Sequence, residues 1–107
     1  MSMLVDIIDQ VGEPAALENL AEECTELAQA ALKLARIERG ENPTPKSKNE
    51  AVQNVLSEVA DVFACIDVLR EIGWWSSQAV FNMKVNKLGR WIDRLSGDKH
   101  ADLDEGD

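Results

Sequence analysis

The sequence predicts an all-α protein: a bundle of three long helices preceded by a short N-terminal one, with its apolar surface completed by oligomerisation. Three observations carry that prediction. Long stretches are rich in Ala, Leu and Glu, all strong helix formers. Apolar residues recur at helical spacing, and no stretch shows the alternation of a half-buried strand. Helix breakers are sparse and fall between the periodic stretches rather than inside them.

The first element is a short amphipathic helix from Met3 to Val11, with Leu4, Ile7, Ile8 and Val11 on one face. Gly12-Glu13-Pro14 interrupts it, and Pro14 suits the first turn of the next helix. That helix runs from Pro14 to Arg39, with Gly40 where a C-terminal cap belongs. Glu41 to Lys48 holds Pro43 and Pro45 and no apolar residue, and reads as a loop. Ser47 or Asn49 can cap a further helix that reaches about Ile72, before Gly73. After Trp74-Trp75-Ser76-Ser77, a junction with a hydroxyl available as cap, the last helix spans Gln78 to Leu95 and stops at Ser96-Gly97. Residues 1–97 read as a single helical domain; residues 98–107, with five acids and one lysine, read as a disordered acidic tail.

Composition excludes several functions. The chain has 107 residues and a net charge of −9, which repels a nucleic-acid backbone over most of its surface and argues against a polymer-binding role. No apolar run approaches the ~20 residues a membrane span needs, and Met1 to Asp6 has no basic signal-peptide start. Cys24 and Cys65 lack CxxC spacing and fall in helical patterns, so they read as buried free thiols in a reducing, cytoplasmic setting. The single histidine, His100, lies in the acidic tail, which removes His-based metal sites and Ser-His or Cys-His catalysis. A domain this small buries only about two thirds of its unfolded surface, so a homodimer or homotetramer is expected.

The informative residues are carboxylates. At about 100° per residue, Leu17, Leu20, Cys24, Leu27, Ala31 and Leu34 form the apolar stripe of the Pro14–Arg39 helix, with Glu23 and Glu26 at its border. In the next helix, Val52, Val55, Leu56, Val59, Phe63, Ile66 and Leu69 form the main stripe, and the segment from Val59 to Leu69 is apolar almost all round. Glu58 and Asp61 sit in that surrounding, again at i, i+3. A carboxylate there must be protonated, paired with a base or bound to a cation. Two antiparallel helices that each present such a pair bring four carboxylates around one point, which suits a hard divalent ion, Mg²⁺ or Mn²⁺.

Glu22-Glu23-Cys24-Thr25-Glu26 followed by Glu58-Val59-Ala60-Asp61 reproduces an EExxE…ExxD signature, and with its neighbours the chain resembles the MazG-like all-α nucleoside triphosphate pyrophosphohydrolases over roughly Leu4 to Arg94. That family includes dimeric dUTPases and dCTP pyrophosphatases. The resemblance implies Mg²⁺-dependent cleavage of an NTP or dNTP between the α and β phosphates, giving a nucleoside monophosphate and pyrophosphate. It implies Glu23, Glu26, Glu58 and Asp61 as metal ligands. Glu22 becomes the candidate catalytic residue, orienting or activating a water, with a solvent-facing glutamate as the alternative.

In the last helix the resemblance implies a phosphate-contacting segment, here Asn82-Met83-Lys84-Val85-Asn86-Lys87-Leu88-Gly89-Arg90-Trp91. Asn86 and Trp91 match the family pattern, while its lysine is Asn82 and its arginine Gly89. The substrate-binding candidates are therefore Lys84, Asn86, Lys87 and Arg90 of this segment, with Lys33 of the second helix as a further cation for the leaving phosphates. Trp74, Trp75 and Trp91 are placed either to stack on a base or to anchor packing. Two other readings stay open: a non-catalytic helical interaction or regulatory module, and a MazG-like chain that has lost activity.

Overall fold

Gly12 is the only residue between the first two helices, and the chain turns there because glycine tolerates its backbone angles, φ 85° and ψ 161°. The computed structural model describes residues 3–41, 47–73 and 75–101, with side chains as far as residue 97. The described residues form α1 (Met3–Val11), α2 (Glu13–Glu38), α3 (Lys48–Arg70) and α4 (Ser77–Ala101), without a strand. None of these helices is long and apolar enough to cross a membrane. The chain divides into two compact units, Met1–Trp75 with α1 to α3 and Ser76–Asp107 with α4.

Local chemistry sets the helix ends. The Gly12 N–H donates to the Ile8 carbonyl at 2.9 Å, closing α1, and the Gly12 carbonyl accepts from the Ala16 N–H at 3.1 Å, opening α2. At the other end of α2, Gly40 takes φ 74°. Its N–H donates to the Ile37 carbonyl at 3.0 Å and the Glu41 N–H to the Arg36 carbonyl at 2.9 Å, the double closure of a Schellman motif. Ser47 caps α3, its Oγ accepting from the Glu50 N–H at 3.2 Å. Ser76 caps α4 in the same way, accepting from the Ala79 N–H at 3.1 Å.

One end differs from expectation. The last helix continues through Gly97 to Ala101, because Gly97 is not among the glycines with positive φ and does not terminate it. The start of the expected acidic tail is thus helical. The Pro43/Pro45 segment, Trp74, the side chain of His100 and residues 102–107 lie outside the described residues.

Helices α2 and α3 pack antiparallel. Asn19 meets Cys65, the central carboxylates meet one another, and Lys48 reaches Glu38 at 2.8 Å. The seam is formed by Ala16, Leu20, Glu23, Leu27, Ala30 and Leu34 against Ala51, Val55, Glu58, Val62, Cys65 and Leu69, all buried or half-buried. This alternating three-and-four spacing is that of knobs-into-holes packing. Leu69 is wholly enclosed, and α1 lies across α2 and α3.

The seam corrects the expected stripes. Leu17, Cys24 and Ala31 are exposed on α2, and Leu56 and Phe63 are 56% and 62% exposed on α3. Cys24 is therefore an exposed thiol, whereas Cys65 is buried as expected. The apolar sectors are wider than one contact stripe, and the helices meet along the edge where Ala16, Ala30 and Ala51 permit close approach.

Nothing lies within 4 Å of a Cβ built at Gly12, so Gly12→Ala meets no clash and its cost is backbone strain alone. The strain of an alanine held at φ 85° and ψ 161°, a region almost only glycine adopts, is about 1–3 kcal/mol and should lower the urea midpoint with an unchanged m-value.

Candidate metal centre

Glu23 occupies a seam position of α2 and Glu58 a seam position of α3, each with leucine, valine or alanine one turn away on either side. Glu26 and Asp61 follow them at i+3 and emerge on the same open face of the helix pair. Each of the four offers one carboxylate oxygen, and these oxygens all lie within 4.8 Å of one another. Opposite oxygen ligands of an ion bound at about 2.0–2.6 Å are themselves about 4–5 Å apart. The spacing fits one hard cation.

Electrostatics make the cluster demanding. Glu23 Oε2 and Glu58 Oε2 are buried without a hydrogen-bond partner. The described ion pairs, Lys48–Glu38 and Arg70–Asp67, lie away from the cluster. Burial pushes the Glu23 carboxyl above its ordinary range, and the neighbouring Glu26, Asp61 and Glu58 add to the shift. Glu58 is raised too, first by burial and then by the charges of Glu26 and Asp61. A cation among the four removes both causes, since it replaces lost hydration and cancels the repulsion.

Cys65 is one turn beyond Asp61. Burial, followed by the negative charge of Glu23 and Asp61, holds its thiol above the usual range. It therefore remains a protonated thiol rather than a soft ligand or nucleophile. With no histidine or thiolate at the cluster among the described residues, the donor set is all oxygen, as Mg²⁺ and Mn²⁺ prefer.

No family model, curated protein or solved structure matches the chain. The assignment of a function accordingly rests on the residues themselves.

The other sequence-derived candidates are spread more widely. Glu22 is exposed on α2, next to Glu23 but about 100° around the helix. Lys33 is exposed on the face that carries Glu26, two turns further along α2. Lys84, Asn86, Lys87 and Arg90 are all exposed on α4, in the second unit. Lys84 and Lys87 border a shallow apolar groove with Val80, Met83, Leu88 and Trp91, and the Lys84 ammonium sits 5.2 Å from the Phe81 ring centroid. Asn86 is about 160° around α4 from Lys84, so the helix separates those two side chains.

Sequence reasoning did not single out Asn19. It lies one turn before Glu23 on α2, and its Nδ2 donates to Cys65 Sγ at 3.6 Å, one turn beyond Asp61 on α3. The available signal was its i, i+4 spacing from Glu23.

The raised Glu23 and Glu58 values give a pH prediction for the metal-free protein. A carboxyl whose folded pKa exceeds its unfolded pKa binds the proton more tightly when folded, so its contribution to stability is full below the ordinary value of 4.5 and is lost as pH rises through the folded value. In chelator, the melting temperature attributable to these groups should fall from pH 4.5 toward neutrality. The Glu23→Gln/Glu58→Gln double variant should flatten that slope.

Proposed function

We propose that the protein is a Mg²⁺-dependent nucleoside triphosphate pyrophosphohydrolase of the MazG-like kind. It would convert an NTP or dNTP and water into the nucleoside monophosphate and pyrophosphate. The observation that carries the reading is the convergence of Glu23, Glu26, Glu58 and Asp61 within 4.8 Å, with two of their oxygens buried and unpartnered. Substrate phosphates complete the coordination of a carboxylate-held Mg²⁺ more naturally than an all-protein cage does.

Glu23, Glu26, Glu58 and Asp61 would hold the ion, with Mn²⁺ as a substitute. When bound, Mg²⁺ supplies neutralisation of charge on the triphosphate oxygens and a water of lowered pKa. Glu22 orients the attacking water or accepts its proton. Attack at the α phosphorus breaks the α–β phosphoanhydride bond, and the electron pair leaves with pyrophosphate. Lys33, on the cluster's side of α2, compensates the charge of the leaving group; Lys84, Asn86, Lys87 and Arg90 are nominated for the phosphates by the family resemblance alone. No protein nucleophile is needed.

A helical interaction module is the competing reading. It accounts for the exposed apolar side chains but leaves the two seam glutamates unexplained. The exposed Leu56 and Phe63 also support a homodimer or homotetramer for the enzyme. Two free thiols fit a reducing, cytoplasmic setting.

The deciding experiment is pyrophosphate release across NTPs and dNTPs with Mg²⁺ or Mn²⁺. Glu58→Gln and Asp61→Asn should each lower kcat/KM by more than about 100-fold, because even outer-sphere partners of a metal cost about 10–100-fold. Their helical circular dichroism should be unchanged. Mg²⁺ should raise the wild-type melting temperature, by the equivalent of about 2.7 kcal/mol at a hundredfold excess over Kd, and Glu58→Gln should abolish that rise. Full activity of both variants in saturating Mg²⁺ overturns the mechanism. For the assembly, Phe63→Glu should reduce the particle mass measured by light scattering.

A further inference from the structure

Beside the carboxylates, on the same side of the hairpin, α1 closes a cleft of about 200 Å³ against α2 and α3. Ile7 and Val11 of α1, Ala16 and Asn19 of α2, and Ala64 and Val68 of α3 line it. It is apolar except for the Asn19 amide and the Cys65 thiol at its floor. Pockets that enclose a drug-sized ligand usually measure about 300–1,000 Å³. A cleft below that range accommodates one flat heterocycle rather than a whole nucleotide.

Its position relative to the cluster is fixed by helix geometry. Asn19 is one turn from Glu23 and two from Glu26, while Cys65 is one turn from Asp61. The cleft and the far edge of the cluster are thus about 10 Å apart along α2, at about 1.5 Å per residue. A pentose with its α phosphate bridges such an interval. Lys33 lies beyond the cluster, two turns past Glu26 on the same side. Apolar cleft, carboxylates and ammonium therefore follow one another along a single face, in the order of the base, the metal-bound phosphates and the terminal phosphate of a nucleotide.

We infer that this cleft is the nucleobase site and that Asn19 reads the edge of the base; the inference rests on the nucleotide reading of the carboxylate centre. The walls suit a planar aromatic ring. Ile7 and Val11 are 42% and 48% exposed, leaving apolar surface for a ring to cover. An amide presents one acceptor and two donors, the set that pairs with adjacent donor and acceptor atoms on a base. In the free protein the Asn19 amide donates to a thiol sulfur at 3.6 Å. Sulfur is a weak acceptor, so turning the amide toward a base sacrifices little.

The test uses the full chain in saturating Mg²⁺, titrated with dAMP, dCMP, dGMP, dTMP and dUMP, which have no α–β bond to cleave, and followed by NMR, beside the hydrolysis assay of the corresponding triphosphates. Saturable shifts of the Asn19 side-chain amide and of the Ala16, Ala64 and Val68 methyls are expected. Affinities should differ among the bases by at least about tenfold, within what one bidentate amide–base contact provides. Asn19→Ala should flatten that preference in binding and in kcat/KM, and Ala64→Phe, which fills the cleft from an exposed position, should remove the shifts. Hydrolysis with an unperturbed cleft, and with base preference unchanged in both variants, overturns the base site and leaves the carboxylate mechanism standing. Base-selective shifts without hydrolysis of any triphosphate support the base site and overturn the catalytic reading. Neither shift nor hydrolysis overturns both.

Discussion

Two glutamates in the contact seam of a helix pair are the constraint on which the rest of the molecule turns. Glu23 and Glu58 take positions that leucine, valine or alanine fill elsewhere along α2 and α3, and each keeps one buried oxygen without a partner. A buried charge is tolerated when something neutralises it, and no basic side chain among the described ion pairs does so. Protonation and a bound cation are the remaining solutions: Glu26 and Asp61 push both glutamates toward the protonated form, and they also bring two more oxygens to the same point. Polar seam residues also specify register at a cost in stability. A slip of one turn would set each glutamate against an apolar neighbour and separate the four carboxylates.

The local structure serves that register. Gly12, Gly40 and Ser47 end or begin helices through backbone angles and caps that their own residue types favour, so the lengths of α2 and α3 are set independently of their packing. Antiparallel pairing then carries Asn19 to Cys65 and Glu38 to Lys48 at opposite ends, with the carboxylates between them. Side chains on two rigid helices are held more closely than side chains on loops would be. The exposed Lys48–Glu38 pair contributes little energy. The enclosed Leu69 and the alanines of the seam do more of the holding.

Large apolar side chains outside the seam form a second layer of information. Leu56 and Phe63 recur at seven residues on α3, and Phe81, Val85, Leu88, Ile92 and Leu95 follow three-and-four spacing along α4, all exposed. Such stripes are surfaces for helix packing rather than for solvent. The acidic surface and the apolar stripes occupy different sectors of the helices. This separation lets the α2/α3 hairpin build a polar centre while Leu56 and Phe63 stay exposed outside the seam.

By itself, the sequence determined the all-α class, the four helices, most of their ends and the residue types able to hold a hard cation. These depend on propensity, caps and spacing along one chain. Sequence also paired Glu23 with Glu26 and Glu58 with Asp61, since i, i+3 neighbours share a helix face whatever the fold. Tertiary structure alone decided which sector of each wide apolar surface became the seam. It exposed Leu17, Cys24 and Phe63, moved Glu23 from the stripe's border into the contact, and made Asn19 the neighbour of Cys65. Periodicity defines an apolar sector only to within a residue or two. Where two helices touch inside that sector is set by the side chains of the partner, which one-dimensional spacing does not contain.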